Sequence, residues 1–323
     1  LAQEADPYYD AWEAAGQIPR DFWLKLGEAG MLAIDLAEEY GGTGADFGIT
    51  QLVLEEISRR GFGGLASAYN IHANIVIPYV EHLASAAQRQ QWLPRMATGE
   101  VMSAIAMTEP GAGSDLANIK TRAVRVADGW QLNGSKIFIT NGMIADMVIV
   151  CAKTDPAAGA KGVSLFLVDS ALPGFSRGQP IQKIGQHASD TAELFFQDML
   201  LPADALLGEE GAGFAYLMQE LPRERLGVGA QALGAMEGAF ALTLDYVKQR
   251  TAFGQTIASF QNTRFKLAEV RAQIDMGRAY FNHCVTLYRQ QRMTSTDAAI
   301  IKLQLTEMQC KTIDECLQLF GGY

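Results

Sequence analysis

Cysteine and histidine are scarce in this chain, with four of each in 323 residues. Cys151, Cys284, Cys310 and Cys316 follow neither a metal-ligand nor a disulfide spacing and suit a reducing compartment. His72, His82, His187 and His283 contain no His-x-x-x-His pair, so no metal site is expected. Long apolar runs are missing too. The best, Met143 to Ala152, is short and holds Asp146, so no membrane span is expected. Positive charge is in deficit: the net charge of -10 argues against nucleic acid or an anionic membrane as the main partner. The sequence starts at Leu1 without a methionine and stops at Tyr323 directly after Gly321-Gly322. Truncation at both ends is the expectation, with no targeting segment visible.

What is present is ample apolar material. With 49% hydrophobic residues the chain can bury a large core, in two or three domains. Residues 1–100 read as helices. Phe22, Trp23, Leu26 and Ala29 keep helical spacing up to a stop at Gly30, and Ser85 with Gln88 makes a capping box. The glycine-rich run Glu39 to Gly44 has neither a preceding strand nor a following lysine, so it reads as a surface turn rather than a phosphate loop. From 101 to 208 the pattern changes to short Val-, Ile- and Phe-rich segments: Thr121 to Val126, Trp130 to Leu132, Lys136 to Thr140, Met147 to Ala152, Val163 to Val168 and Ala192 to Gln197. Turns are expected at Asp128-Gly129, Asn133-Gly134, Asn141-Gly142 and Pro173-Gly174, as in a small antiparallel barrel or sandwich. From 209 to 323 the helical period returns. Two stripes are expected to face a bundle core: Leu267, Val270, Ile274, Phe281, Val285 and Tyr288, then Ile300, Leu303, Cys310, Ile313, Leu317 and Phe320. The fold class is α+β: an N-terminal helical domain (1–100), a central antiparallel β-barrel (101–208) and a C-terminal helical bundle (209–323).

At the first junction stands Ala106-Met107-Thr108-Glu109-Pro110-Gly111-Ala112-Gly113-Ser114-Asp115. It gathers two hydroxyls, two carboxylates, a stiffening proline and two glycines that permit close backbone approach. Taken alone it reads equally well as a Pro-Gly turn or as a ligand loop.

That stretch, followed in order by Asn133 to Gly142, Asp190 to Leu194, Glu220 to Leu226, Arg250 to Gly254, Phe260-Gln261-Asn262 and Gln318 to Gly322, resembles the acyl-CoA dehydrogenases along essentially the whole chain. Tyr246 to Arg250 and Glu220 to Leu226 look most like the long-chain branch. Asn118 stands where the family motif usually ends in a small residue, and Ala215 where long-chain relatives tend to carry an aromatic. Branched or modified acyl groups therefore stay open beside straight chains.

The resemblance implies FAD as cofactor, held between barrel and bundle, an acyl-CoA substrate, electron-transfer flavoprotein as partner, and a homo-oligomer built as a dimer of dimers. It implies that Ile105, Ala106, Met107, Thr108, Gly113 and Ser114 run along the flavin, with Thr108 bonding the ring and Ser114 also reaching CoA. Phe138, Ile139 and Thr140 would line the flavin from a strand, which sends alternate side chains toward cofactor and barrel. Arg250, Phe253, Gln261, Gln318, Leu319, Gly321 and Gly322 would contact the FAD of a neighbouring subunit. Arg250 suits a pyrophosphate through its planar fork, and the two glycines would let backbone amides approach phosphates. Ser189, Pro222, Arg223 and Arg225 would join Ser114 at the substrate. The protein would work in the cytoplasm if bacterial and in the mitochondrial matrix if eukaryotic.

Many family members place the base beyond the Gly-Gly loop, whereas the long-chain and isovaleryl branches place a glutamate before an arginine on the first long helix after the barrel. Glu224-Arg225 occupies that place. By itself Glu224 reads as a solvated helix residue paired with Arg223 or Arg225. The resemblance makes it the base that removes the C2 proton, with basicity raised as water leaves the pocket. Pro222, two residues earlier, would kink the helix. The expected reaction is C2 proton abstraction with C3 hydride transfer to flavin N5, giving a trans-2-enoyl-CoA. An acyl-CoA oxidase or flavin monooxygenase of the same fold, and a catalytically silent FAD-binding scaffold, are the competing readings.

Overall fold

The structure is a computed structural model and describes residues 1–322. The chain forms two compact units. One comprises Leu1–Asp46 with Ser67–Glu220, the other Phe47–Ala66 with Leu221 onward.

The first unit opens with α1 (Tyr9–Ala15) and α2 (Arg20–Glu28). Gly30, at φ +68, turns the chain out of α2 as expected. After α3 (Phe47–Arg59), which belongs to the second unit, α4 (Gly63–Tyr69) runs into a π-helical segment, Asn70–Val76, and on into α5 (Ile77–Leu83). The Ser85–Gln88 capping box starts α6 (Ala86–Ala97): Gln88 N donates to Ser85 Oγ and Ser85 N to Gln88 Oε1.

The strands follow. They are β1 (Ser103–Ala106), β2 (Arg122–Val126), β3 (Gly129–Thr140), β4 (Met147–Lys153), β5 (Val163–Asp169), β6 (Phe175–Arg177), β7 (Thr191–Pro202) and β8 (Leu206–Leu207). They pair in the order β6-β7-β3-β2-β4-β5-β8, and β1 joins β4. Most pairs are antiparallel, but β1 and β2 each meet β4 in parallel. Two apolar layers cover the sheet. One, around Trp130, Phe166 and Met199, packs between strands; the other, around Ile149 and Leu165, packs against Val76, Tyr79 and Leu93 of the helices.

Asn133-Gly134 is not the turn its dipeptide suggests. Strand β3 runs straight through it and absorbs it as a register shift against β7. Asn133 patches the ladder there, accepting from Asp198 N at 2.8 Å. Only glycine fits at 134: φ is +149, and a Cβ would stand 2.5 Å from Thr121 Oγ1.

The second unit holds α3, the greater part of α7 (Gly213–Gln249), a hairpin of β9 (Thr251–Ala252) and β10 (Gln255–Thr256), α8 (Gln261–Arg289) and α9 (Ser295–Phe320). Helix α3 lies hard against α7. A Cβ on Gly234 would stand 2.2 Å from the Glu55 carbonyl oxygen, and one on Gly238 2.0 Å from that of Arg59. Arg278 of α8 ties the same helices with ion pairs to Glu55 (2.6 Å) and Glu237 (2.7 Å). The α8 stripe buries Val270, Ile274, Phe281 and Val285 as expected, with Leu267 and Tyr288 half-buried.

The α9 stripe is a correction. Ala298, Ile301, Leu305, Thr312 and Cys316 face the core instead, while Ile300, Leu303, Cys310, Ile313 and Leu317 are exposed and Phe320 is half-buried. The period was right, but a helix with apolar residues on two faces does not say which face its neighbours take. Pro222 lies inside α7, and the helix runs through it unbroken. No helix among the described residues is long and apolar enough to cross a membrane, and no cluster among them could hold a metal ion.

Candidate functional site

In the first unit, the chain leaving β1 runs alongside β3. Thr108 O accepts from Ile137 N at 3.0 Å, and Glu109 and Ala112 exchange backbone bonds of 2.9 and 3.1 Å that close a tight loop around Pro110-Gly111. Ile105 and Ala106 are buried in the sheet, Met107 and Thr108 are half-buried, and Gly113 and Ser114 are exposed. Nothing lies within 4 Å of where a Cβ would stand on Gly111 or Gly113, so their backbone is open to a ligand.

Strand β3 supplies the facing residues through a second register shift, between Lys136 and Ile139. Phe138 sits in that bulge at φ +60 and is 61% exposed, while Ile139 turns into the core and Thr140 is half-buried. A large aromatic ring left in solvent at a strained backbone position suits a planar partner stacked over it. Thr140 pairs with Thr191 and Ile139 with Ala192, which carries Ser189 and Asp190 to the same end of the sheet. Ser189 is buried, and its Oγ has no hydrogen-bond partner.

Three polar groups that the sequence reading left without a site role hold this wall. Lys136 is fully buried in β3, with Nζ 2.8 Å from Glu109 Oε1 and 2.9 Å from Met107 O. Burial works against the Glu109 charge, but bonds from Lys136, Thr121 and Lys120 outweigh it and hold the carboxyl below its ordinary value. Burial pulls the Lys136 ammonium below its own ordinary value. Asn141, at φ +62, donates to the carbonyls of Ala68 (3.0 Å) and Ser103 (3.2 Å) and so fixes the turn that follows Thr140. Asp190 accepts from Met143 N at 2.7 Å in the same turn, and burial raises its carboxyl to about 6. A lysine reads as a surface residue, so only its position inside Asn133 to Gly142 could have drawn attention to it. Asp115 is exposed and accepts a bond from the Asn118 side chain.

Beside this end of the sheet lies a cavity of about 330 Å³, lined by Gly16 and Gln17 after α1 and by Lys183, His187, Ser189 and Asp190.

In the second unit, Pro222, Arg223, Glu224 and Arg225 occupy one turn of α7. Arg223 is buried with its guanidinium 4.8 Å from the Phe47 ring centroid, while Glu224 and Arg225 are half-buried. Another group gathers at the far end of α7. Tyr246 stacks on Phe320 at 4.3 Å, bringing the Arg250 end of α7 to Gln318, Leu319 and the two glycines after α9. Gly321 and Gly322 have nothing within 4 Å of a would-be Cβ. Phe253 and Gly254 form the tip of the β9–β10 hairpin, both at positive φ, with Phe253 95% exposed and edge-on to Phe260 just ahead of Gln261.

The comparisons agree along the whole chain. Family models for the acyl-CoA dehydrogenase N-terminal, middle and C-terminal domains match residues 1–100, 104–199 and 211–323. The chain is 45% identical to the mitochondrial long-chain specific acyl-CoA dehydrogenase of Rattus norvegicus, over 99% of this chain and 75% of the relative. It belongs to the acyl-CoA dehydrogenase family. Acyl-CoA dehydrogenases are FAD-dependent oxidoreductases, and a homotetramer is typical of them. An acyl-CoA dehydrogenase from Geobacillus kaustophilus superposes with a TM-score of 0.97 at 46% identity, covering 100% of this chain and 85% of that one. A glutaryl-CoA dehydrogenase from Mycobacterium smegmatis, solved in complex with FADH2, superposes at 0.92 with 29% identity, covering 98% of this chain and 80% of that one. The open glycine loop, the half-buried Thr108 and Thr140 and the exposed Phe138 ring are what a flavin ring needs from one side: hydrogen-bonding hydroxyls, a flat apolar surface and close backbone.

Proposed function

We propose that this chain oxidises an acyl-CoA thioester between C2 and C3, with Glu224 as the base and electron-transfer flavoprotein as the electron acceptor. The observation that carries the reading is the presence, on one turn of α7 in a chain of this family, of Glu224 between Arg223 and Arg225. Arg223, buried against Phe47, fixes the rotation of this turn and so the side from which Glu224 leaves the helix. A Glu224 carboxylate oxygen takes the C2 proton and ends as the acid. FAD, when bound, supplies the acceptor for the C3 hydride, so the product is a trans-2-enoyl-CoA. Thr108, Thr140 and Phe138 orient the ring, and Ser114 with Ser189 holds polar parts of the CoA. Arg250, Phe253, Gln261 and the Gln318 to Gly322 segment serve the FAD of a second copy. The long-chain resemblance points to an extended acyl group, and Ala215 admits branched ones.

The test is anaerobic titration of the flavin with a panel of straight and branched acyl-CoA thioesters. Bleaching at 450 nm by at least one thioester, with electrons passing to an artificial acceptor, is the expected result. Absence of bleaching by every thioester would leave a silent flavoprotein. Bleaching followed by rapid oxygen uptake once air is admitted would favour an oxidase.

A further inference from the structure

We propose that Lys136 and Glu109 form a buried clamp that sets the geometry of the flavin wall, acting as positioning residues rather than as a source of stability. The inference rests on the reading that this wall carries FAD. The bonds alternate along the two segments. Lys136 Nζ takes the Met107 carbonyl at 2.9 Å, Ile137 N the Thr108 carbonyl at 3.0 Å, and Lys136 Nζ again the Glu109 carboxylate at 2.8 Å. Three successive residues that include Thr108 are thereby registered against β3 immediately before the Phe138 bulge. Glu109 extends the clamp by accepting from Lys120 N at 2.6 Å and Thr121 N at 3.0 Å, which locks the far end of the Pro110 to Asn118 loop. Both charges are enclosed, Lys136 completely and Glu109 to 6% exposure.

An ion pair this deep is a poor source of stability, because desolvating both groups offsets most of their attraction. What it does well is forbid alternatives. A one-residue slip of the Thr108 segment would leave an ammonium and a carboxylate buried apart. The Thr108 and Thr140 hydroxyls are useful to a flavin ring only at fixed spacing, so the clamp acts on the cofactor through them.

The experiment compares apoprotein variants by FAD titration, by the flavin visible band and by thermal unfolding without cofactor. Lys136→Met should lower both the melting temperature and FAD affinity, since it strands the carboxylate. Lys136→Met with Glu109→Gln removes both charges. Its melting temperature should return toward wild type, while FAD binding stays at least about tenfold weaker with an altered 450 nm band. Recovery of FAD affinity and band shape together with the melting temperature would overturn the proposal and make the pair a stability element. If the double variant does not fold, Glu109→Asp serves in its place. It keeps both charges but shortens one arm, and is expected to weaken FAD binding at near-normal melting temperature; unchanged binding would overturn the clamp. Wild-type protein that takes up no FAD would overturn the flavin reading itself and the clamp with it.

Discussion

His72 and Ser103 share a buried hydrogen bond of 2.8 Å that ties the π-helical segment to the first residue of β1. The other ring nitrogen lies 3.0 Å from the Met96 carbonyl, so the neutral ring donates there and accepts from the Ser103 hydroxyl. Burial pulls the His72 pKa down to about 4, from an ordinary 6.5, against the pull of the Met96 bond. The unfolded chain then binds a proton that the folded chain refuses. Stability from this site is full above about 6.5 and falls as pH drops toward 4, by on the order of 3 kcal/mol. His72→Gln, which stays neutral, should flatten that slope in urea unfolding measured between pH 4.5 and 7. An unchanged slope would show that His72 does not set it.

Asp190 works in the opposite sense. Its carboxyl is raised to about 6 by burial, so between roughly 4 and 6 the folded chain keeps a proton that the unfolded chain has lost. Stability from this site falls as pH rises through that window and stays lower above it. Asp190→Asn should therefore gain stability relative to wild type at pH 7 but little at pH 4, when measured by chemical denaturation. Equal effects at both pH values would contradict the assignment.

The α3–α7 contact leaves no room for a side chain. Gly234→Ala places a methyl 2.2 Å from the Glu55 carbonyl oxygen, which is backbone and cannot swing aside. A loss of about 1–3 kcal/mol in unfolding free energy is expected, the usual cost of overpacking. A neutral effect would mean that α3 can move away from α7 freely.

Ile300, Leu303, Ile313 and Leu317 form an exposed apolar row on α9. Homotetramers are typical of the family, which makes that row a candidate assembly surface. Leu303→Lys with Leu317→Lys should lower the molar mass seen by light scattering and leave secondary structure by circular dichroism intact. An unchanged mass would remove α9 from the assembly surface.

Local rules made much of this legible in the sequence. The Ser85–Gln88 capping box, the stop at Gly30 and the β2–β3 hairpin, whose turn falls on Ala127-Asp128, one residue before the expected Asp128-Gly129, depend on residues within a few positions of each other, and all form. What the sequence hid is non-local. Asn133-Gly134 becomes a bulge because Asp198, 65 residues away, completes its bonding. Lys136 is buried because Glu109 waits 27 residues upstream. Helix α3 packs with α7 because glycines at 234 and 238 remove the side chains that would keep it away. The Ala106 to Asp115 stretch was legible as a motif; the buried Lys136–Glu109 pair beside it was not.

Glu224 is the proposed base, and the most direct measurement of its role is the anaerobic rate of flavin reduction in Glu224→Gln mixed with an accepted acyl-CoA. A glutamine keeps the size and polarity of the side chain but cannot take the proton. FAD content and acyl-CoA binding should stay near wild type while the reduction rate falls by about 10²–10⁴-fold. Reduction at a near-normal rate would place the base elsewhere in the chain.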